Sequence, residues 1–223
     1  MTDTPATTAT LDQLRRDAEA LLADGGSDGD RRVVLGIVGA PASGKSTVAE
    51  ALVARLGDHA VLVSMDGYHL AHSELTRIGR VERKGAPDTF DAGGFVSLLR
   101  RIRADDGTTV YAPEFRREIE DAIASAVPVG PEARLVVVEG NYLLHDDGAW
   151  ADVLGLLDAC WFIDIDEDVR IGRLVTRHMH YGRTEEQARE RSLGSDQRNA
   201  ELIIGTAGRA TRVVRIAEDA ARA

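Results

Sequence analysis

Hydrophobic positions along the chain follow two alternating rhythms. A short unbroken apolar run occurs at Val33 to Val38, the pattern of a strand covered on both faces. Apolar-rich stretches at Ala60 to Val63, Arg134 to Val138, Ala159 to Ile165 and Thr211 to Ile216 read as further strands. Between them the spacing is helical, over Lys45 to Leu56, Phe95 to Arg103, Glu167 to His180, Glu185 to Leu193 and Asp196 to Ile204. Thr108 to Tyr111 reads as a further short strand. Strands separated by helices predict right-handed βαβ units and a five-stranded parallel sheet flanked by helices, an α/β fold. Ahead of this, Thr10 and Gln13 form a capping-box pattern, and Leu11, Leu14, Ala18, Leu21 and Leu22 share one helical face. A flexible loop from Asp24 to Asp30 follows. Residues 1–30 are therefore expected to be a tail and an appended helix, and residues 31–223 a single domain.

Composition narrows the partners. Hydrophobic residues at 43% and charged residues at 29% suit a globular domain, and 223 residues bury a sizeable core without disulfides. A formal net charge of -10 argues against a nucleic-acid partner, which needs a basic surface. One anionic ligand in a local basic pocket stays compatible with it. The single cysteine, Cys160, lies in an apolar run. It is expected to be a core thiol in a reducing compartment. No leader-like or membrane-spanning stretch is seen, so the expected location is cytoplasmic. The oligomeric state is open, a homodimer being one option.

The sharpest motif is Gly39-Ala40-Pro41-Ala42-Ser43-Gly44-Lys45-Ser46, with an expected strand before it and a helix after it. It matches the P-loop pattern. Such a loop turns its backbone N–H groups inward, and the following helix adds the positive end of its dipole. The expected ligands are ATP and Mg²⁺. Lys45 would place its charge on the phosphates, Ser46 would ligate the metal, and Thr47 would reach the α-phosphate.

Two further strand ends carry acids. Ala60 to Val63 leads into Ser64-Met65-Asp66-Gly67-Tyr68-His69, and ligands of open parallel sheets bind beyond the carboxyl ends of strands. Asp66 reads either as the base that accepts a proton from an attacking hydroxyl or as a cap on the following turn. Leu135 to Val138 leads into Glu139-Gly140-Asn141-Tyr142. Glu139 is expected to hold a metal-bound water or orient the attacking group, since an unsatisfied carboxylate at the end of an apolar strand is costly. Arg170, Arg173 and Arg177 share a helical face, and Arg183 follows in a turn. They read as lid arginines at a phosphoryl-transfer site or as a solvated basic face, with the lid at about 173–193. Among Asp88, Thr89 and Asp91 one caps the next helix, and Asp88 is kept as a substrate candidate. His69, Lys84, Arg116 and Tyr142 complete the candidate acceptor site, and Arg116 and its neighbour Arg117 read either as facing an anionic substrate group or as solvated. For Ser195, Asp196 and Asn199, helix capping is the expected role. His178 and His180 point apart, which excludes a shared metal site.

In this order, the P-loop, Met65-Asp66-Gly67-Tyr68-His69, Arg83-Lys84-Gly85-Ala86-Pro87-Asp88-Thr89-Phe90-Asp91, Glu139-Gly140-Asn141-Tyr142 and Asp164 through Arg177 resemble the phosphoribulokinase/uridine kinase superfamily. The bacterial nucleoside/nucleotide kinase family proteins, the fructose-transport-system kinases and bacterial-type pantothenate kinase are the most similar groups. The resemblance implies a P-loop NTPase fold of the NMP-kinase kind with a helical lid. It also implies Asp66 as base, and Arg170, Arg173, Arg177 and Arg183 as lid arginines, Arg170 on the nucleotide. The expected activity is ATP-dependent phosphorylation of a hydroxyl on a nucleoside, sugar or pantothenate-like molecule. The alternative is a P-loop ATPase switch with no small-molecule acceptor, and the chain lacks the Asn-Lys-x-Asp motif of a GTPase. Uridine kinases carry an Asp where this chain has Gly85, so the identity of the acceptor does not follow from the resemblance.

Overall fold

A computed structural model describes residues 5–24 and 31–217. Most of the loop expected before Val33 lies outside the described residues. The main sheet joins β1 (Thr7–Ala9), β2 (Val33–Val38), β3 (Ala60–Ser64), β6 (Leu135–Gly140), β7 (Ala159–Asp164) and β8 (Arg212–Ile216) in the order β1-β8-β7-β2-β6-β3. Every pairing in it is parallel. The five expected strands are present, and a sixth extends the edge. Thr7–Ala9, read from the sequence as part of a tail, pairs with Val214 to Ile216.

Alternation along the buried strands divides the core in two. Leu35, Ile37, Leu135, Val137, Trp161 and Ile163 face one side with α1 (Leu11–Asp24) and α2 (Lys45–Leu56). Val34, Val38, Val136, Val138, Cys160 and Phe162 face the other, with α4 (Ala92–Ala104) and Trp150. Between α2 and α4, β3 leads into a short turn, and α3 (His72–Arg77) follows. The chain then makes an antiparallel hairpin of β4 (Val110–Arg116) and β5 (Asp121–Val129). Only the start of β4 is foreshadowed by the expected strand at Thr108 to Tyr111. Finally α5 (Glu167–His180), α6 (Glu185–Leu193) and α7 (Ser195–Ile204) form a helical cap before β8 closes the sheet. No helix among the described residues is long and apolar enough to cross a membrane.

The Thr10–Gln13 capping box is formed: Thr10 N–H donates to Gln13 Oε1 at 2.8 Å and Gln13 N–H to Thr10 Oγ1 at 3.2 Å. It starts α1 at the register that buries Leu14 and Ala18 completely. Leu14→Ala is therefore expected to cost about 2–5 kcal/mol through lost burial and a residual cavity. A urea-unfolding midpoint within error of the parent protein would show that this helix is not part of the core.

Candidate functional site

The loop after β2 is shaped by what cannot fit there. A Cβ on Gly39 would lie 2.5 Å from Ser43 Oγ and 2.8 Å from the Ile163 carbonyl oxygen, so only glycine leaves the loop room to fold over β7. Ala42 and Gly44 take left-handed backbone angles, φ +67° and +93°, and this turns the intervening N–H groups toward one concave side. α2 then begins at Lys45 with no side-chain cap from Gly44, leaving its first-turn N–H groups for a ligand. Ser43 Oγ is buried with no hydrogen-bond partner among the described residues. Gly39 through Thr47 thus form a donor-lined cradle that suits phosphate.

Beside the cradle lies a polar knot in the apolar interior. Glu139, 6% exposed at the end of β6, accepts hydrogen bonds from Ser46 Oγ at 3.3 Å and Ser64 Oγ at 3.2 Å. Lys45 Nζ, itself 9% exposed, lies 3.5 Å away. Burial pushes the Glu139 carboxyl above its ordinary range, and Lys45 opposes that shift most strongly. A hydroxyl and a carboxylate are the hard oxygen donors that Mg²⁺ prefers, so Ser46 and Glu139 fit that ion. Ser64 joins them although no role was assigned to it from sequence. The available signal was a hydroxyl placed at the same sheet level as the acid of the neighbouring strand, since Ser64 pairs with Glu139 in register.

Asp66 follows at the carboxyl end of β3. Ser64 caps this turn, its Oγ accepting from Asp66 N–H at 3.2 Å. The Asp66 carboxylate is thereby left to the cleft, 3.7 Å from Arg117. His69 Nδ1 lies 2.8 Å from the Asp66 carbonyl oxygen, and its ring packs against Phe90 and Phe115 at centroid distances of 4.0 and 4.9 Å. Burial lowers the His69 pKa, so the neutral ring is favoured and serves as an aromatic wall.

Other candidates have structural partners. Tyr142 is buried and donates its hydroxyl to the Gly85 carbonyl at 2.6 Å. Asp88 is held by Arg80 at 3.1 Å and Arg83 at 2.9 Å, while Asp91 caps α4 through Gly94 N–H. Lys84 Nζ donates to the Glu120 carbonyl at 2.6 Å. Arg116 is exposed and pairs with Glu114 at 2.7 Å. It is the next residue, Arg117, that reaches Asp66, because successive side chains at a strand end point to opposite sides.

The arginines divide along α5. Arg170, 1% exposed, donates to Gln197 of α7 and leaves Nε and Nη1 without partners among the described residues. It borders a small cavity with Ala40 of the cradle. Arg173 reaches toward Gly44, its Nη1 being 3.6 Å from the position a Cβ there would take. One turn on, Arg177 lines with Arg173 an open groove of ≈ 540 Å³. Arg183 is exposed beyond the end of the helix. The cap also touches the acceptor side. Arg191 donates to the Lys84 carbonyl at 3.4 Å, and Asn199 to the Gly85 carbonyl at 3.3 Å. Asp196 accepts from His178 at 2.7 Å rather than capping α7, whose N-cap is Gly194. Asp196 and Asn199 therefore bridge elements instead of ending a helix.

Comparison with known proteins agrees with this geometry. The model of the Phosphoribulokinase / Uridine kinase family matches residues 34–201. A Schizosaccharomyces pombe protein named "Putative uridine kinase" is 35% identical over 184 residues, 78% of either chain. The uridine kinase of Leuconostoc citreum is 34% identical over 161 residues, covering 70% of this chain and 73% of its own. A crystal structure from Silicibacter sp. TM1040, described as a "putative fructose transport system kinase", superimposes with a TM-score of 0.80. It is 34% identical and covers 93% of this chain and 98% of its own.

Gly39→Ala is expected to lower stability by about 1–3 kcal/mol, because the added methyl meets the Ile163 backbone. It should also weaken binding of a non-hydrolysable ATP analogue. Gly155, with nothing within 4 Å of an added Cβ, is the matched control. Denaturation midpoints and titration calorimetry that fail to separate the two substitutions would refute the cradle geometry.

Proposed function

The chain belongs to the Phosphoribulokinase / Uridine kinase family, and from that premise we propose that it transfers the γ-phosphoryl group of ATP to a hydroxyl of a small molecule, with Asp66 as the base. P-loop small-molecule kinase is the class of the family and of its named relatives. The observation that carries the assignment of Asp66 is a carboxylate that makes no hydrogen bond among the described residues and has only Arg117, at 3.7 Å, as an ion-pair partner. Ser64 performs the capping role that would otherwise explain an acid in this turn, and the acid lies beyond a strand end beside the phosphate cradle.

The reaction divides among residues as follows. The cradle N–H groups and Lys45 hold the nucleotide phosphates, and Ser46 and Glu139 are placed to hold Mg²⁺, which when bound neutralises phosphate charge. Asp66 accepts the proton as the acceptor O–H bond breaks and the new O–P bond forms. The bond between the γ-phosphorus and the bridging oxygen breaks, and ADP leaves with that electron pair. Arg173 and Arg177, along the groove, stabilise charge on the transferring group, and Arg183 joins them when the cap closes. The wall of His69, Phe90 and Phe115 keeps water from competing for the phosphoryl group. The single buried thiol of Cys160 suits the cytoplasmic setting we propose. A pure nucleotide switch has no use for an acid placed to take a proton.

The test is ADP release from Mg-ATP across nucleosides, ketohexoses, pantothenate and short polyols or their acids, including glycerate. Stimulation by at least one is expected. Asp66→Asn should retain binding of a non-hydrolysable ATP analogue and lose turnover by a factor of about 10² to 10⁴. Collapse of nucleotide affinity in that variant would reassign Asp66 to the nucleotide side.

A further inference from the structure

We propose that the acceptor carries an anionic group, a carboxylate or phosphate, and that Arg117 at the hairpin tip is the residue that binds it. This rests on the reading of Asp66 as the base. It adds a substrate class and a specificity residue to that site.

The hairpin is built against the proposed base. A Cβ on Gly67, directly after Asp66, would lie 2.5 Å from the Pro113 carbonyl oxygen, so β4 packs on the turn that presents the carboxylate. At the tip, Glu120 takes a left-handed φ of +52°, and Lys84 donates to its carbonyl at 2.6 Å. Lys84 is thereby a positioning residue. It pins the turn from which Arg117 extends to within 3.7 Å of Asp66, its guanidinium 6.0 Å from the centre of the Phe115 ring.

The charges around this point do not balance. Lys84 is matched by Glu120, Asp88 by Arg80 and Arg83, and Asp196 by His178. What remains is Asp66, which both Arg117 and Arg177 face, with Asp196 also acting on Arg177. The Arg177 side chain makes no hydrogen bond or ion pair with any described residue, and burial followed by repulsion from Arg117 lowers its pKa. Two cations that repel each other across this cleft gain when further negative charge arrives. The phosphoryl group supplies it for Arg177, which shares its groove with Arg173 beside the cradle. Arg117 comes from the opposite element and flanks the base itself. Once an acceptor hydroxyl occupies Asp66 and gives up its proton there, Arg117 loses its counter-charge unless the acceptor brings one. A carboxylate or phosphate on the acceptor satisfies the guanidinium by paired hydrogen bonds and aims the hydroxyl at Asp66. Sequence reading left both Arg116 and Arg117 open for this duty, and the register of the hairpin tip turns Arg117 toward Asp66.

The experiment measures ADP release from Mg-ATP by the full chain with paired neutral and anionic acceptors. The pairs are uridine and uridine 5′-monophosphate, pantothenol and pantothenate, and glycerol and glycerol 3-phosphate. The anionic member of at least one pair should have kcat/KM about 10-fold or more above its neutral partner, the scale of a charge-assisted hydrogen bond. Arg117→Gln should bring that ratio toward one chiefly through KM, and Arg117→Lys should restore part of it. Lys84→Met should raise KM for the anionic member while leaving a partial preference. A neutral member that matches or exceeds its partner in every pair turned over, or a ratio untouched by Arg117→Gln, overturns the proposal while the kinase reading stands. Thermal shifts of the Mg-ADP complex separate the two claims. If no acceptor releases ADP, yet the anionic probes raise Tm through Arg117, the anion site is upheld and the assignment of Asp66 fails. If there is neither turnover nor an Arg117-dependent shift, the anion site is refuted as well.

Discussion

A carboxylate buried at the end of a fully apolar strand is the constraint around which this site is organised. Glu139 cannot be left unpaired there, since desolvating an isolated charge costs several kcal/mol. Its partners come from two separate segments: Lys45 and Ser46 from the start of α2, and Ser64 from the end of β3. Sheet register delivers them. Ile37 and Ser64 both pair with Glu139 on its two sides, so the strand ends rise to the same level and the P-loop folds back over the acid. The same alignment that satisfies Glu139 thus fixes the distance from the phosphate cradle to Asp66, two residues beyond Ser64. Chemistry and packing are held by one set of contacts, and a disturbance of β3 reaches both.

That dependence also explains which features were legible from sequence. The P-loop and the buried strands are local: their residues are adjacent in the chain, and apolar runs announce themselves wherever both faces are covered. Val33–Val38 and Lys45–Leu56 coincide with the expected spans for this reason. The hairpin is different. Asp121–Val129 is exposed along much of its length, carries Pro128, and holds Ser125 at a positive φ, so it lacks both the alternation and the composition of a buried strand. Thr7–Ala9 is only three residues long, and its partner strand lies at the far end of the chain. Nothing local could signal that pairing.

Site residues divide along the same line. Lys45, Ser46, Asp66 and Glu139 were accessible because each ends or begins an element whose type was clear. Arg117 could be named but not separated from Arg116, because choosing between them requires the register of a hairpin whose second strand was unseen. Asp88 and Tyr142 show the converse. A polar residue near a suspected cleft looks available until its long-range partner is known, and Arg80, Arg83 and the Gly85 carbonyl supply those partners. The tie between Tyr142 and Gly85 also has a consequence. Gly85 receives Asn199 as well, so one carbonyl joins the strand bearing Glu139, the acceptor-side turn and the helical cap.

Helix α5 shows how a single element passes from core to cap. Its first turn is fixed by Asp166, which accepts from Asp168 N–H at 3.0 Å, and Arg170 is sunk against Gln197 of α7. Arg173 and Arg177 lie progressively farther along the same face, and Arg183 stands in solvent after it. A guanidinium that is always charged is costly inside the protein and cheap in water. The buried end is therefore committed to its protein contacts, while the distal arginines gain most when phosphate arrives. Motion of the cap is accordingly expected to pivot near Arg170, since this is where the helix is both capped and buried. The contacts of Arg191 and Asn199 with Lys84 and Gly85 are two hydrogen bonds of 3.4 and 3.3 Å, which can break without unfolding either side. In the reaction we propose, closure is set by charge rather than by packing: ligands that neutralise Arg173 and Arg177 are expected to hold the cap down, and loss of ADP and product to free it.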